Sequence, residues 1–133
     1  MRTVHDVERY LVEGALPFQD HGDGMFVVED EASGLRHLAI KVEAPLVVFR
    51  LRVGPVPAPG STEREALFEE LLRLNGTALL HAAFCLADDG IFLAAALPLD
   101  NLDHNEFQAV IDDMGMAISQ HLPRLSLPPP AAN

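Results

Sequence analysis

The sequence predicts one α+β domain in which an antiparallel sheet packs against helices. Apolar residues recur at helical spacing in three segments, and strand-like apolar runs occupy five others. The segments follow the order helix, three strands, helix, two strands, helix, which is α-β-β-β-α-β-β-α. The chain has 133 residues, 49% of them apolar, which is enough for one hydrophobic core. We expect the domain to span residues 1–125 and to be followed by a Pro-rich flexible tail over residues 126–133.

The first helix is predicted over residues 4–13. Thr3 is a suitable N-cap, and Asp6 in the first turn favours the positive end of the helix dipole. Gly14 is a typical C-terminal stop. Three apolar residues share one helical face: Val4, Val7 and Leu11.

Three strands are predicted next, over residues 25–30, 35–43 and 46–53. In the second and third, apolar residues alternate with polar ones, as in an antiparallel strand covered on one face. Short breaks at residues 31–34 and at Ala44 and Pro45 favour a meander. The preceding segment, from Pro17 through residues 20–24 (DHGDG), is interpreted as a turn.

A second helix, a hairpin and a third helix complete the order. Thr62 and Glu65 form a capping-box pattern, so the second helix is predicted to begin with Thr62 as N-cap and to end at residues 75–76. The runs 79–87 and 91–97 are joined by Asp-Asp-Gly, a strong hairpin signal. Asp103 and Glu106 repeat the capping pattern before a helix that we expect Pro123 to stop.

Charge and composition exclude several classes of partner. The formal net charge is −11, and only one residue is a lysine, so nucleic acid and an anionic membrane surface are unsuitable partners. No apolar run reaches the ~18 residues of a membrane span, and the N-terminus does not read as a signal peptide. We therefore expect a cytoplasmic protein. The single cysteine, Cys85, lies in an apolar run, which favours a buried structural thiol.

The sequence indicates no catalytic, metal or cofactor site. The six histidines lack metal-ligand spacing, and residues 20–24 lack the alternating carboxylates of a calcium loop. Asp112 and Asp113 are predicted to lie on the solvated face of the third helix, so a pair of catalytic carboxylates is disfavoured. We expect a binding protein that is not an enzyme and that has no cofactor.

Three stretches carry a resemblance to a known family. They are ALFEELLRLNGTAL (66–79), FCLADDGIFLAAALPL (84–99) and LDNLDHNEFQAVIDDMGMAI (99–118). Together with the segment order they resemble the type III secretion chaperones of the Tir-chaperone, CesT-like family over residues 3–125. The related YbjN-like proteins share this order.

The resemblance implies a homodimer that holds an extended segment of a secreted effector protein and uses no nucleotide or metal. By position, the implied partner-binding residues lie on the first helix and the first strands, although the same residues could instead fill the core of the domain. They are Leu11, Phe26, Val28, Leu38, Ile40 and Val42. The implied dimer-interface residues lie on the second helix, although that face could serve only to cover the sheet. They are Leu67, Phe68, Leu71, Leu72 and Leu74.

The YbjN-like branch implies an alternative function. A protein of that branch would be a regulatory or adaptor protein that binds a folded partner. Both alternatives place the chain in the bacterial cytoplasm.

Overall fold

The computed structural model describes residues 2–87, 90–125 and 127. Within these residues it contains three α-helices and six strands. In chain order they are α1 (Val4–Glu13), β1 (Phe18–Gly22), β2 (Met25–Asp30), β3 (Leu35–Glu43), β4 (Leu46–Gly54), α2 (Thr62–Thr77), β5 (Ala83–Ala87), β6 (Gly90–Pro98) and α3 (His104–Met116). After α3 come a π-helical turn over Ala117–His121 and a 3-10 turn over Leu122–Arg124.

The six strands form one antiparallel sheet in the order β1-β2-β3-β4-β6-β5. The predicted α+β class and the packing of a sheet against helices are confirmed. The order differs from the prediction by one strand, because β1 precedes the predicted meander. The outer strands of the sheet are therefore β1 and β5.

β1 occupies part of the segment that was interpreted as a turn. Only Asp23 and Gly24 connect β1 to β2, and both have positive φ angles, 55° and 78°. Two-residue hairpins of type I′ require positive φ at both positions, and Asp-Gly is a preferred pair there. The same dipeptide predicted the later hairpin, so the signal for β1 was present. It was missed because β1 itself, FQDHG, is mostly polar.

One face of the sheet forms the core with α1 and α3. The Phe49 ring lies 5.4 Å from the Phe107 ring of α3, and Tyr10 of α1 lies 5.7 Å from Phe107. The Tyr10 hydroxyl donates a 2.7 Å hydrogen bond to the Leu102 carbonyl, which satisfies its buried polar atom. The largest fully buried side chains include Phe26, Phe49, Phe107, Leu35, Leu67, Ile91, Leu93 and Met114.

The ends of two helices agree with the prediction. α1 spans the predicted residues, and the Thr3 N–H donates to the Asp6 carboxylate at 2.7 Å. α3 begins after Asp103, whose carboxylate accepts from the Glu106 N–H at 2.8 Å. Both helices therefore begin with an acidic capping box.

The N-cap of α2 is Ser61, and the prediction of Thr62 was wrong by one residue. The Ser61 hydroxyl accepts from the Arg64 N–H at 3.2 Å and donates to the Ala58 carbonyl at 2.8 Å. Thr62 is already the first helical residue. Ser61 ends the Pro/Gly loop in extended backbone, which is the conformation that an N-cap needs. α2 also continues past the predicted stop, to Thr77.

Replacing Ser61 by alanine is expected to lower the free energy of unfolding by about 1 kcal/mol, because the first turn of α2 loses its side-chain acceptor. Thr62→Ala is the matched control and should change stability by less than about 0.5 kcal/mol. Urea denaturation followed by circular dichroism measures both. Equal losses in the two variants would contradict the assignment of Ser61 as N-cap.

Two other predictions lie partly beyond the described residues. β5 and β6 pair as the predicted antiparallel hairpin, with Ala87 opposite Gly90, but its turn residues Asp88 and Asp89 lie outside the described residues. The predicted tail, residues 126–133, also lies outside them except for Leu127. Its flexibility therefore stays a prediction.

Candidate protein-binding surfaces

The predicted partner-binding residues lie mainly in the core of this chain. Leu11 packs from α1, and the other five project from β2 and β3 toward the helices. Val42 is half-buried, and the other five side chains are fully buried. A partner could reach those five only by displacing core contacts, so their role in partner binding stays a prediction. The accessible apolar surface lies elsewhere.

The opposite side of the sheet carries a second set of residues, mostly apolar and including two cations, which we call the open sheet face. The strand register aligns eight of them in two rows across the strands, and Phe92 lies in the next row, opposite Arg52. Their side chains are half-buried or exposed, in contrast to the fully buried row formed by Phe26, Ile40 and Phe49. The open sheet face consists of Met25, Val27, Ala39, Lys41, Val48, Arg50, Phe92, Ala94 and Ala96.

Two cations lie within this apolar face. The Arg50 guanidinium lies 4.4 Å from the centre of the Phe92 ring, and the Lys41 ammonium donates to the Asp23 carbonyl at 2.8 Å. These contacts hold the two side chains against the sheet without neutralising their charge. In a chain of net charge −11, the open sheet face therefore combines apolar area with local positive charge.

The free edge of β1 presents backbone groups for pairing. The Glu29 N–H donates to the Pro17 carbonyl at 3.0 Å. Along an antiparallel pair, every second residue points its backbone groups toward the partner strand, so this bond fixes which residues of β1 do so. Gln19, opposite Val27, therefore faces β2, whereas the N–H and C=O groups of Phe18 and Asp20 point away from the sheet. Such an edge can accept a further strand.

An apolar groove, the α2–β5 groove, lies between α2 and β5 beside the predicted dimer face. Its volume is about 270 Å³. Leu72 is 70% exposed on one wall, and Leu86 is 52% exposed on the other. The groove is lined by Phe68, Leu71, Leu72, Asn75, Phe84, Cys85 and Leu86.

The five predicted dimer-interface residues divide into three groups. Leu67 and Leu71 are buried in the core of this chain, so they anchor α2. Phe68 and Leu74 are partly buried against that core. Leu72 points outward and is available to a partner. Their role in a dimer stays a prediction. The members that line the α2–β5 groove are Phe68, Leu71 and Leu72.

Two side chains bond the backbone of β5 and of the residues just before it. The Asn75 amide of α2 accepts from the Phe84 N–H at 2.8 Å and donates to the Phe84 carbonyl at 3.0 Å. The Asp113 carboxylate of α3 accepts from the N–H groups of His81 and Ala82, both at 2.8 Å, and of Leu80 at 3.2 Å. These side chains satisfy backbone groups that no strand pairs within the described part of the chain.

The Asp113 carboxyl is charged in the folded protein. Burial raises its pKa, but the hydrogen bonds from the backbone of Ala82, His81 and Leu80 together lower it by more, with a further contribution from the nearby His81. The net pKa lies below the usual value of an aspartate. A buried carboxylate satisfied by three backbone donors is stable as an anion.

Two predictions about these residues were wrong. Asp113 is buried, with 9% of its surface exposed, rather than solvated; it lies three residues after Val110 and four before Ala117, on the buried stripe of α3. Cys85 is exposed rather than buried, because its side chain projects to the open side of the sheet. The helical spacing of Asp113 in α3 was the signal that it is buried. For Cys85, strand alternation with the buried Phe84 was the signal that its side chain lies on the open side of the sheet.

Across residues 2–87, 90–125 and 127, no group of three or more His, Cys, Asp or Glu residues is placed to hold a metal ion. Over the same residues, no helix has the length and apolar character needed to cross a membrane.

The fold is shared with two solved structures. One is a chain of the heterodimeric ExoU–SpcU complex from the type III secretion system of Pseudomonas aeruginosa; it has a TM-score of 0.70 and 16% identity, with 90% of this chain and 98% of that chain covered. The other is YbjN from E. coli, described as a candidate transcription regulator; it has a TM-score of 0.63 and 15% identity, with 96% and 100% covered. At these sequence identities, the structural likeness shows that the fold is shared.

The family follows from the sequence match. The CesT_Tir_1 family model matches residues 1–127, and the chain belongs to that family. The predicted resemblance to the Tir-chaperone, CesT-like family is thereby confirmed, and the fold is shared with YbjN. No curated protein matches the chain.

Proposed function

We propose that this protein is a homodimeric, ATP-independent binding chaperone of the bacterial cytoplasm that holds an extended segment of a secreted effector. The observation that carries the proposal is the outer edge of β1, which no other strand pairs among the described residues, in a chain of a chaperone family. The likeness to a chain of the ExoU–SpcU complex supports the partner class, because that complex belongs to a type III secretion system. The proposed activity is binding, and it involves no catalysis.

An extended segment suits the geometry of β1 and the open sheet face. A strand added at β1 would bond through the outward groups of Phe18 and Asp20, which gives affinity without requiring a particular sequence. The half-buried Phe18 ring, 5.8 Å from the ring of Phe26, offers an apolar contact on one side of such a strand. Val27 and Met25 of the open sheet face offer apolar contacts on the other side.

A dimer contact through α2 is supported by the α2–β5 groove. Exposed apolar side chains on both walls, Leu72 and Leu86, are unfavourable in water and gain free energy when a second subunit covers them. A two-fold contact would place the same groove of each subunit against its partner. The core residues Leu67 and Leu71 would hold α2 in place for this contact.

Co-expression with the protein encoded beside this gene tests the proposal. We expect a soluble complex of two copies of this chain with one partner molecule. Hydrogen exchange measured by mass spectrometry should show one segment of the partner protected only in the complex, together with protection of residues 18–22 of this chain. A partner that binds away from β1, or that does not bind, would contradict the proposal.

A YbjN-like adaptor is the second candidate, because YbjN shares the fold over 96% of this chain. An adaptor would bind a partner that is already folded. In the same exchange experiment, the partner would then be protected throughout its core before and after binding. A chaperone's cargo would instead stay unprotected outside the bound segment.

A further inference from the structure

Basic residues are concentrated on the two central strands of the sheet. Together β3 and β4 contain four of the nine lysine and arginine residues of the chain and only one acid, Glu43. Three of these bases, Lys41, Arg50 and Arg52, alternate with inward-facing residues and so project to the side of the open sheet face. In a chain with 20 acidic residues, this surface therefore has a charge opposite to that of the whole protein.

Lys41 and Arg50 have no carboxylate partner among the described residues. Arg50 lies against an aromatic ring, and Lys41 donates to a backbone carbonyl. Two acids lie nearby, but Glu29 pairs with His37, and Glu43 lies at the end of β3, beyond ion-pair distance of Lys41. The positive charges of Lys41 and Arg50 are therefore available to an anionic partner.

The strand register places these two charges close enough for one partner segment to contact both. Lys41 lies opposite Val48, and Arg50 lies opposite Ala39, so the two bases are diagonal cross-strand neighbours, about 7–8 Å apart. Residues four positions apart on a helix have Cβ atoms about 5–6 Å apart. Two acidic residues one helical turn apart can therefore reach both bases.

A segment bound on this face must satisfy its own backbone. Both β3 and β4 lie between two hydrogen-bonded strands, so a segment lying on top of them finds no strand edge to pair with, in contrast to β1. A helix pairs its backbone groups internally and packs well on a sheet. The small side chains of Ala39 and Ala94, on either side of Arg50, leave room for a helix at the centre of the sheet.

We propose that the open sheet face binds an acidic amphipathic helix of the partner protein, with two carboxylates one turn apart paired to Lys41 and Arg50. The inference rests on the proposed function, because this helix would continue from the partner strand added at β1. In that row of the sheet Gln19 of β1 is followed by Val27 and Ala39, which leads from the edge to Arg50.

The rest of the molecule is compatible with such a partner. The net charge of −11 does not prevent binding, because at physiological ionic strength exposed charges separated by more than about 8 Å are largely screened. The α2–β5 groove lies on the far side of β6 from β4, so the proposed subunit contact would leave Lys41 and Arg50 uncovered.

Three synthetic helices serve as probes for this site. The acidic probe consists of four repeats of Glu-Ala-Ala-Leu, which places glutamates one turn apart beside a stripe of leucines. The neutral and basic probes have glutamine or lysine in place of every glutamate. All three are acetylated, amidated and labelled with the same fluorophore. Fluorescence anisotropy measures their affinity, and NMR shifts of the isotope-labelled protein locate the bound probe.

We expect the acidic probe to bind at least about ten times more tightly than the neutral probe, because only the acidic probe pairs with the two bases. The amide shifts should change mainly at Ala39, Lys41, Val48 and Arg50. The double variant Lys41→Gln with Arg50→Gln should weaken binding of the acidic probe at least about tenfold and leave the neutral probe unaffected. Arg50→Lys keeps the charge and should retain the affinity within about a factor of three.

The matched control removes the same charge elsewhere. Arg9 of α1 and Arg124 of the turn after α3 are both exposed, and the double variant Arg9→Gln with Arg124→Gln should leave the affinity of the acidic probe unchanged. Equal losses in the two double variants would overturn the proposal. Equal affinity of the acidic and neutral probes, tighter binding of the basic probe, or shifts confined to other surfaces would also overturn it.

Failure of this inference can be distinguished from failure of the proposed function. If the acidic probe does not bind while the co-expressed partner still protects residues 18–22, the helix site is wrong and the proposed function stands. If that protection is also absent, both are wrong.

Discussion

Replacing Asp113 by alanine is expected to lower the free energy of unfolding by about 3 kcal/mol, because three backbone N–H groups lose a charged acceptor. The N–H of Ala82 is buried and cannot be replaced readily by water, whereas those of Leu80 and His81 lie nearer the surface. Most of the loss should therefore come from Ala82. Urea denaturation at pH 7, followed by circular dichroism, measures it.

The neighbouring aspartate is the matched control. Asp112 is exposed and its carboxylate accepts from the Gln108 amide at 2.9 Å on the helix surface. Asp112→Ala should change stability by less than about 0.5 kcal/mol. Equal effects of the two substitutions would show that Asp113 does not hold the start of β5.

The stabilisation by Asp113 should also depend on pH. Its pKa is lower in the folded protein than in the unfolded chain, so the unfolded chain takes up the proton at higher pH. The contribution is complete above the unfolded pKa of about 4 and is lost as the pH falls through the lower folded pKa. The stability difference between wild type and Asp113→Asn should therefore shrink below pH 4. A difference that grows on acidification would contradict the assignment.

Replacing Leu72 by glutamate is expected to dissociate the proposed dimer, with a dissociation constant raised at least about 100-fold. The introduced carboxylate would lie in the α2–β5 groove and would face its own copy across the two-fold axis, where both charges lose water. Light scattering should show the mass falling from twice 14.5 kDa to the mass of one chain.

Val12→Glu is the control for this prediction. Val12 is similarly exposed, at 63%, but it lies on α1, away from the groove. The same charge at Val12 should leave the mass unchanged. If wild type is a monomer, or if both variants dissociate alike, the α2–β5 groove is not the subunit contact.

Much of the fold could be predicted because its signals are local. Capping residues placed the start of α1 and α3, and alternation placed β2, β3 and β4 within a residue or two. The error at β1 has a physical cause: an edge strand is exposed and short, so it can be polar and lose the apolar pattern. The N-cap of α2 was wrong by one residue because Ser61 and Thr62 are both good caps and adjacent.

The binding surfaces were less predictable than the fold. The implied partner-binding residues Phe26, Val28 and Ile40 share one sheet face, but a partner and the protein's own helices would both suit that pattern. Asn75 was interpreted only as a helix stop, although it lies four residues after Leu71 on the inner side of α2.

The sequence by itself determined the α+β class, most of the segment order, the acidic charge and the family likeness. These depend on periodicity and on residues close together in the chain. Only the tertiary structure decided which sheet face α1 and α3 cover, that β1 and β5 are the edges, and that Asn75 and Asp113 bond the backbone of β5 and of the residues just before it. These features join residues as far apart as Leu80 and Asp113, and no local pattern specifies such contacts.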